Sequence, residues 1–176
     1  MEIRALREGG DHRSGFRSGD PDLDRFFLRF AGQNQFRHHV GVTQVAVEDE
    51  GILGFATVSP AHLEIDRLPA AARRGLPRYP VPVLRLARLA VDESARGTGL
   101  GSQLVRFVLG LALSMADEYG CGGVLVDAKP DATAFYAKYG FVELEALEGQ
   151  SEARPQPTSM FLSMRAIRAS SRRRRA

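Results

Sequence analysis

The most informative segment of the sequence reads Arg96-Gly97-Thr98-Gly99-Leu100-Gly101-Ser102. It follows the apolar run 83–91, which is typical of a buried strand. After it, apolar residues recur at the three- and four-residue spacing of a long helix, at Leu100, Leu104, Val108, Leu111 and Met115. Glycines let a backbone approach a ligand closely, and the amides at a helix start attract anionic oxygens. The segment therefore predicts a phosphate-binding loop, to which Arg96 adds a positive charge.

Other interpretations of this loop remain open. A P-loop needs a lysine after its glycines, and none is present here. A dinucleotide-binding fingerprint needs a third glycine where Ser102 stands and an acidic residue at the end of the next strand, where Asp127 is found. A tight strand-to-helix turn that binds nothing would also use glycines for their backbone angles.

Upstream of this loop, the sequence predicts a helix and a β-hairpin. Asp20 is placed to cap the helix and Pro21 to begin it. The apolar stripe of this helix consists of Leu23, Phe26, Phe27 and Phe30. Between residues 40 and 58, apolar residues alternate on both sides of the turn 48–51, which predicts two antiparallel strands. Residues 66–82 then form a connection rich in Pro and Arg.

Downstream of the loop helix, the sequence predicts the remainder of one α/β domain. A strand is expected at 122–127, a short helix at 130–139, and two closing strands at 141–147 and 158–167. This order of elements predicts a single mixed α/β domain over residues 1–168. Residues 169–176 consist only of Ala, Ser and Arg, and they are expected to form a basic, disordered tail.

The composition favours a soluble globular protein and indicates neither a disulfide nor a metal site. The formal charge is +3, and it falls to −1 without the four arginines of residues 172–175. The single cysteine, Cys121, excludes an intrachain disulfide, and the four histidines show no metal-ligand spacing, so no metal is expected. No secretory leader is evident and no uninterrupted apolar stretch reaches 18 residues, which predicts a cytoplasmic protein without a membrane association.

Two motifs give the sequence a resemblance to a known family. The first is Arg96-x-x-Gly99-x-Gly101 after one predicted strand, and the second is Phe135-Tyr136-x-x-x-Gly140-Phe141 after the next. Together and in this order, they resemble the GCN5-related N-acetyltransferase (GNAT) superfamily over about residues 1–167. The resemblance implies a single-domain GNAT fold, in which a mixed central sheet with splayed central strands is flanked by helices.

The same resemblance implies acetyl-coenzyme A (acetyl-CoA) as the co-substrate. In the family, the loop amides hold its pyrophosphate, and the exposed backbone of the central strand lies beside its pantetheine arm. The implied cofactor-binding residues are Leu89, Val91, Arg96, Gly97, Thr98, Gly99, Leu100, Gly101 and Ser102.

The family also uses a tyrosine at the position of Tyr136 to protonate the leaving thiolate, which implies that Tyr136 is the general acid. A phenol with a pKa of about 10 can share a proton with a thiol in the transition state. Residues 83–91 contain no carboxylate or histidine, and their polar members are Arg85 and Arg88, which favours a phosphate-rich substrate. An α-amino group, with a pKa of about 8, needs little help to lose its proton. Asp127 is a candidate base acting through water.

Two further segments, 16–27 and 79–92, are similar to bacterial GNAT toxins of toxin–antitoxin pairs. That branch acetylates the α-amino group of aminoacyl-tRNA and blocks translation. The resemblance implies a homodimer, a cognate antitoxin with a ribbon-helix-helix domain, and a place for Arg88 beside the acceptor. Guanidinium groups suit phosphate recognition, so the expected tRNA contacts are Arg73, Arg74, Arg78 and Arg85.

Two other functions remain as alternatives. A GNAT enzyme acting on a small-molecule or protein amine would show the same glycine loop and Tyr136. A noncatalytic module that binds coenzyme A or nucleic acid is the alternative of a different class. The four terminal arginines either strengthen RNA binding through counterion release or are a solvated chain end.

Overall fold

A computed structural model of the chain describes residues 1–145 and 157–173. The strands are β1 (Glu2–Ala5), β2 (Val42–Glu48), β3 (Gly51–Leu63), β4 (Val81–Val91), β5 (Gly123–Ala128), β6 (Val142–Glu143) and β7 (Thr158–Ser163). The α-helices are α1 (Pro21–Arg25), α2 (Ala31–Phe36), α3 (Ala70–Arg73), α4 (Leu100–Glu118), α5 (Thr133–Ala137) and α6 (Met164–Arg173). A π-helical turn (Phe26–Phe30) and two 3₁₀ turns (Ile65–Arg67 and Glu93–Ala95) complete the elements of these residues.

The strands form one sheet in the order β1-β2-β3-β4-β5-β7-β6. Strands β1, β2 and β3 pair antiparallel in sequence, and β7 pairs antiparallel with both β5 and β6. The predicted α/β fold, a mixed sheet flanked by helices, is confirmed. The chain clusters into two compact units: unit 1 contains residues 1–59 and 86–110, and unit 2 contains residues 60–85 and 111–176.

The predicted hairpin is confirmed as β2 and β3. Its two-residue turn consists of Asp49 and Glu50, with φ values of 46° and 69°. Positive φ at both central residues is the geometry of a type I′ turn, whose twist matches that of the strands it joins. Strand β3 extends to Leu63, beyond the predicted end at residue 58.

The core of unit 1 is built on three phenylalanine rings. Phe27 stacks on Phe55 with ring centroids 4.4 Å apart and an interplanar angle of 6°. Phe16 packs edge-on against both rings, at 4.9 Å from Phe27 and 5.4 Å from Phe55. Helix α1 begins as predicted, because Asp20 accepts hydrogen bonds from the amides of Asp22 (3.0 Å) and Leu23 (3.2 Å).

The apolar stripe predicted for this helix is wrong at Phe30. The amide of Ala31 donates to the carbonyl of Phe26, a five-residue spacing that makes residues 26–30 a π-helical turn. The wider turn rotates the residues after it, so that Phe26 and Phe27 are buried while Phe30 is 45% exposed. The three- and four-residue periodicity used for the prediction assumes a regular α-helix and cannot anticipate this change.

Helix α4 lies directly against the sheet at Gly54. A Cβ atom at Gly54 would be 3.1 Å from the carbonyl oxygen of Ala90 and about as close to the side chains of Leu100 and Leu104. Helix α4 is 19 residues long with a mean hydropathy of 1.2, values that a membrane-spanning helix also reaches. Leu100 and Leu104 are nevertheless buried, as in the helix of a domain core.

The end of β4 is tied to the N-terminal segment by Asp92. The Asp92 carboxylate accepts from the amide of Arg17 (2.8 Å) and from the amide and hydroxyl of Ser94 (3.0 and 2.6 Å). The amide of Glu93 donates in turn to the carbonyl of Arg17 at 2.8 Å. Burial alone would raise the pKa of Asp92, but these hydrogen bonds outweigh it and hold that pKa below its usual value.

Unit 2 has its own apolar cluster, to which the Pro- and Arg-rich connection 66–82 contributes. Residues 66–82 include helix α3, and Leu68 is completely buried between the 3₁₀ turn and this helix. The other buried members of the cluster are Leu63, Val81, Val83, Leu125, Leu144 and Phe161. Strand β5 approaches β7 so closely at Gly123 that a Cβ atom there would lie 2.3 Å from the carbonyl oxygen of Leu162.

The C-terminal prediction needs two corrections. Strand β7 ends at Ser163, so the predicted strand 158–167 is wrong over 164–167, which begin helix α6. This helix continues to Arg173, so residues 169–173, expected to be a disordered tail, are helical. Residues 164–169 read Met-Arg-Ala-Ile-Arg-Ala, and all but Ile favour a helix. Residues 174–176 lie outside the described residues.

The predicted strand 141–147 is also shorter in the structure. Strand β6 covers only Val142 and Glu143, and its partner β7 continues past it to pair with β5. Residues 146 and 147 lie outside the part of the chain that the structure describes.

The stacked phenylalanines and the π-helical turn predict a large loss of stability for one substitution and a small loss for another three residues away. Phe27→Ala should lower the free energy of unfolding by about 3–5 kcal/mol, because it removes a fully buried ring. Phe30→Ala, at the half-exposed position, should cost less than about 1 kcal/mol. Urea denaturation measures both. Equal costs would show that Phe30 belongs to the core after all.

The hydrogen bonds of Asp92 predict a pH dependence of stability. Because the folded-state pKa is lowered, their contribution is fully present above the unfolded pKa of about 4 and is lost as the pH falls through the folded value. Asp92→Asn should therefore cost about 1–2 kcal/mol at pH 7 and show a shallower loss of stability than wild type between pH 6 and 3. Asp66→Asn, at an exposed aspartate, is the matched control. Parallel pH profiles for wild type and Asp92→Asn would contradict the conclusion that the ionised Asp92 carboxylate stabilises the fold.

Candidate functional site

The predicted glycine loop lies in unit 1 between β4 and α4. Gly97 and Gly99 have φ values of +76° and +83°, and no atom lies within 4 Å of the place where a Cβ would stand at either residue. The amide of Gln103 donates to the carbonyl of Gly99 at 3.1 Å. The amides of Leu100 and Gly101 precede this bond and have no helix carbonyl to bind. The loop therefore presents backbone donors in open space, which suits an anionic oxygen.

Thr98 shapes the loop from within. Its hydroxyl donates to the carbonyl of Ala95 at 2.6 Å, and its amide points at the same oxygen at 3.4 Å. Both bonds close the turn that follows the 3₁₀ segment. Thr98 was predicted to bind the cofactor, but both its hydroxyl and its amide are directed at the carbonyl of Ala95, so its observed role is to shape the loop.

Arg96 is held by the N-terminal segment. Its guanidinium donates to the carbonyl of Ser18 and lies 3.8 Å from the carboxylate of Glu93. A Cβ atom at Gly19 would be 2.6 Å from the same guanidinium, so glycine leaves the space that Arg96 occupies. The side chain is still 60% exposed, and it keeps a positive charge beside the loop. Sequence reasoning missed Ser18 and Gly19, because nothing local marks a residue that contacts a loop so far along the chain.

Strand β4 places Leu89, Val91 and Arg88 before the loop, also within unit 1. Leu89 and Val91 are half-buried, so part of each remains accessible. The guanidinium of Arg88 lies over the ring of Phe26, with its carbon 3.9 Å from the ring centroid. Phe26 itself is buried in the π-helical turn. The sequence predicted Phe26 only as a core residue, and the structure adds that it supports the arginine assigned to the substrate side.

In unit 2, Arg85 and Asp127 form an ion pair. Nε of Arg85 donates to Oδ2 of Asp127 at 2.7 Å, and Nη2 donates to the same oxygen. Arg85 was predicted to contact tRNA phosphate, but its positive charge is partly compensated by Asp127. Asp127, the candidate base, already accepts two hydrogen bonds from this guanidinium through Oδ2. Arg78, in the connection that precedes β4, is exposed.

Tyr136 lies on the short helix α5 of unit 2 and is only 5% exposed. Its ring contacts Phe135 and Phe141 edge-on, with centroids 5.1 and 5.6 Å away. Burial raises the pKa of the Tyr136 hydroxyl far above its usual value, and the neighbouring Tyr139 raises it slightly further. The phenol therefore remains neutral throughout the physiological pH range.

Metal ligands are not assembled in residues 1–145 and 157–173. No group of three or more His, Cys, Asp or Glu side chains in these ranges could hold a metal ion. The single thiol, that of Cys121, is buried and points to the carbonyl of Gly123 at 3.2 Å.

Comparison with known proteins places these features in a family. Residues 38–143 match the family model for the acetyltransferase (GNAT) domain. A tRNA-acetylating toxin of Mycobacterium tuberculosis (strain H37Rv) is 37% identical over 134 residues, which cover 74% of this chain and 78% of the relative.

Solved structures with the same fold are similar over almost the whole chain. AtaT complexed with acetyl-methionyl-tRNAfMet has a TM-score of 0.82 at 22% identity, covering 97% of this chain and 98% of that one. A mutant AtaT bound to the C-terminus of the antitoxin AtaR and to acetyl-CoA has a TM-score of 0.77 at 21% identity, covering 97% of both chains. The family model spans more than half of the sequence and the toxin relative exceeds 30% identity, so the chain belongs to the GNAT family and is an N-acetyltransferase.

Proposed function

We propose that this protein transfers the acetyl group of acetyl-CoA to the α-amino group of an aminoacyl-tRNA, and that it acts as a toxin by blocking translation. The observation that carries the proposal is the 37% identity to the tRNA-acetylating toxin over most of both chains. A protonated tyrosine and an open loop of backbone donors supply the two chemical requirements of the transfer, an acid for the leaving group and a site for phosphate.

The glycine loop fits the pyrophosphate of acetyl-CoA. Two negatively charged phosphates need several donors at close range, and a backbone without Cβ atoms at residues 97 and 99 allows that approach. Arg96, fixed by Ser18, adds a positive charge at the start of the loop. Leu89 and Val91 on β4 are then the residues beside the pantetheine arm. Acetyl-CoA supplies the acetyl group as an activated thioester.

The acceptor amine reacts without a dedicated protein base in this proposal. An α-amino group has a pKa of about 8, so a useful fraction is neutral at physiological pH. Strand β4 provides no carboxylate, and Asp127 is engaged by Arg85. The neutral nitrogen forms the new C–N bond, the C–S bond of the thioester breaks, and Tyr136 donates its phenolic proton to the leaving thiolate. The nitrogen of the tetrahedral adduct loses its proton to water as the neutral amide forms, and the Tyr136 phenolate regains a proton from water.

Two arginines carry the substrate side of the proposal. Arg88 is held over Phe26 and stays exposed, so its guanidinium can reach an acceptor while its ring contact keeps it in place. Arg78 lies in an exposed connection that also contains Arg73 and Arg74. Arg85 has a smaller role than the sequence suggested, because Asp127 compensates its charge.

The biological setting follows from the same proposal. A toxin that stops translation must be restrained in the cell that makes it, and we propose a cognate antitoxin with a ribbon-helix-helix DNA-binding domain. We further propose that the enzyme is a cytoplasmic homodimer, because aminoacyl-tRNA is found in the cytoplasm and because the resemblance of residues 16–27 and 79–92 to GNAT toxins implies a homodimer.

The decisive test uses radiolabelled acetyl-CoA with total charged tRNA and, separately, with deacylated tRNA. Wild type should label only the charged tRNA. Tyr136→Phe should lower kcat about 10²–10⁴-fold, because the leaving thiolate loses its proton donor, with little change in acetyl-CoA affinity. Tyr119→Phe, at a tyrosine that is 77% exposed, is the control for loss of a phenol. Label found instead on free amines or on protein lysines would show that these groups, and not aminoacyl-tRNA, are the substrate.

A matched pair of glycines tests the cofactor loop. Gly99 and Gly75 share a φ of +83°, and both have open space where a Cβ would stand. Alanine at either position should therefore cost a similar backbone strain of about 1–2 kcal/mol. Only Gly99→Ala should raise the KM for acetyl-CoA, by about tenfold or more, because its Cβ obstructs the approach of phosphate. Steady-state kinetics and urea denaturation measure the two effects, and equal KM values for both variants would place the pyrophosphate elsewhere.

A further inference from the structure

We propose that helix α6 presents a binding surface for the sugar-phosphate backbone of the RNA substrate, away from the reacting amine. This inference rests on the proposed function, since it assigns a second contact for the same tRNA. The surface consists of Arg165, Arg168, Arg172 and Arg173, and we call it the basic face.

The arginines of the basic face are brought together by helical spacing. Arg165, Arg168 and Arg172 stand three and then four residues apart, which places them on one side of an α-helix. All four side chains are exposed, and α6 contains no acidic residue. Ile167, which is 1% exposed, lies on the opposite side and is buried against unit 2. The helix thus separates an anchoring face from a charged face.

The charge of the whole protein depends on this segment. Residues 164–176 contain six arginines and no acidic residue, and without them the formal charge changes from +3 to −3. A polyanion approaching the protein is therefore attracted by the C-terminal segment and repelled, on balance, by the rest. Counterion release from RNA makes such a cluster a source of affinity that does not depend on base sequence.

The helix is anchored, so the arginines project from a fixed support. The amide of Met164 donates to the carbonyl of Gly122 at 2.8 Å, and the hydroxyl of Ser163 accepts from the amide of Ala166 at 3.2 Å. Arg168 donates to Asp117 of helix α4 at 2.5 Å, a contact within unit 2. A pre-ordered helix loses less conformational entropy on binding than a flexible tail would. Because residues 169–173 are helical, Arg172 and Arg173 share this fixed support.

Beside the basic face lies a cleft of about 330 Å³. Its lining residues are Leu113, Asp117, Arg168, Ser171 and Arg172. The hydroxyl of Ser171 already donates to the carbonyl of Arg168 at 3.0 Å, so the guanidinium groups are the donors available for phosphate oxygens, and a carboxylate can accept from a ribose 2′-hydroxyl. The cleft can therefore bind one sugar and its phosphate beside the arginines of the basic face. Within the described part of the chain, the ion pair between Arg168 and Asp117 is the only one that involves the basic face.

The burial of Ile167 favours RNA over a membrane surface. Helices that bind lipid insert an exposed apolar face into the bilayer and use their cations only to strengthen the contact. The apolar side of α6 is already packed against the protein, which leaves charge without a hydrophobic anchor. Phosphate arrayed along a nucleic acid is recognised by charge and hydrogen bonding alone.

The test compares two variants that each remove two positive charges. Arg165→Gln with Arg172→Gln changes the basic face and leaves the Arg168–Asp117 pair intact, whereas Arg7→Gln with Arg37→Gln changes two exposed arginines of unit 1. Binding of deacylated tRNA is measured by fluorescence anisotropy at several salt concentrations. Acetylation is measured with full-length aminoacyl-tRNA and with a short aminoacylated fragment of its 3′ end.

The basic-face variant should raise the Kd for tRNA about three- to tenfold and reduce the slope of log K against log salt by about 1–2. Its KM should rise for full-length aminoacyl-tRNA and stay unchanged for the short fragment, while the unit 1 variant should match wild type in both. An equal loss in both variants, or a loss on the short fragment as well, would overturn the inference.

Acetylation by wild type and binding to lipid vesicles distinguish a failure of the proposed function from a failure of the basic face as an RNA site. If wild type acetylates neither aminoacyl-RNA, the proposed function fails, and the inference fails with it. Vesicles of phosphatidylserine and phosphatidylcholine provide the other arm. If the basic-face variant loses vesicle binding while its Kd for tRNA is unchanged, the surface is a lipid site and the inference is wrong. Circular dichroism of both variants confirms that α6 remains folded.

Discussion

Close packing of helix α4 on the sheet at Gly54 is the constraint on which the chemistry of unit 1 depends. A Cβ atom at this position would lie 3.1–3.2 Å from the carbonyl of Ala90 and the side chains of Leu100 and Leu104, so these neighbours would have to move apart to accept it. Because helix α4 begins at Leu100, its first amides follow the strand end after only a short turn. Backbone donors of this kind need no titratable group, and they are available at every pH at which the protein is folded.

Acid–base behaviour in unit 2 is set by which polar groups are paired and which are merely buried. Asp127 at the end of β5 has a cationic partner, Arg85. Tyr136 is surrounded by aromatic rings, so water cannot stabilise its phenolate and the proton stays on oxygen. One strand and the helix after it thus carry an ion pair and a buried, neutral phenol.

The sequence predicted those parts of the fold in which local signals agree. Asp20 and Pro21 marked a helix start, the change of apolar period marked the hairpin, and glycines marked the loop. Phe30 and helix α6 were mispredicted, because a π-helical turn changes the period and because short apolar runs fit a strand as well as a helix. The contacts of Arg85, Arg88 and Arg96 could not be predicted, since each depends on which distant segment the fold brings beside it.

The bonds that tie residues 17 and 18 to Asp92 and Arg96 also bear on the order in which the chain folds. They join positions 75 and 78 residues apart in the sequence. Contacts of such long range form slowly, because the chain must first close a large loop, and on the ribosome they cannot form until the strand that precedes the loop has been synthesised. A nascent chain therefore remains unable to order the glycine loop between β4 and α4 until more than half of its length has emerged.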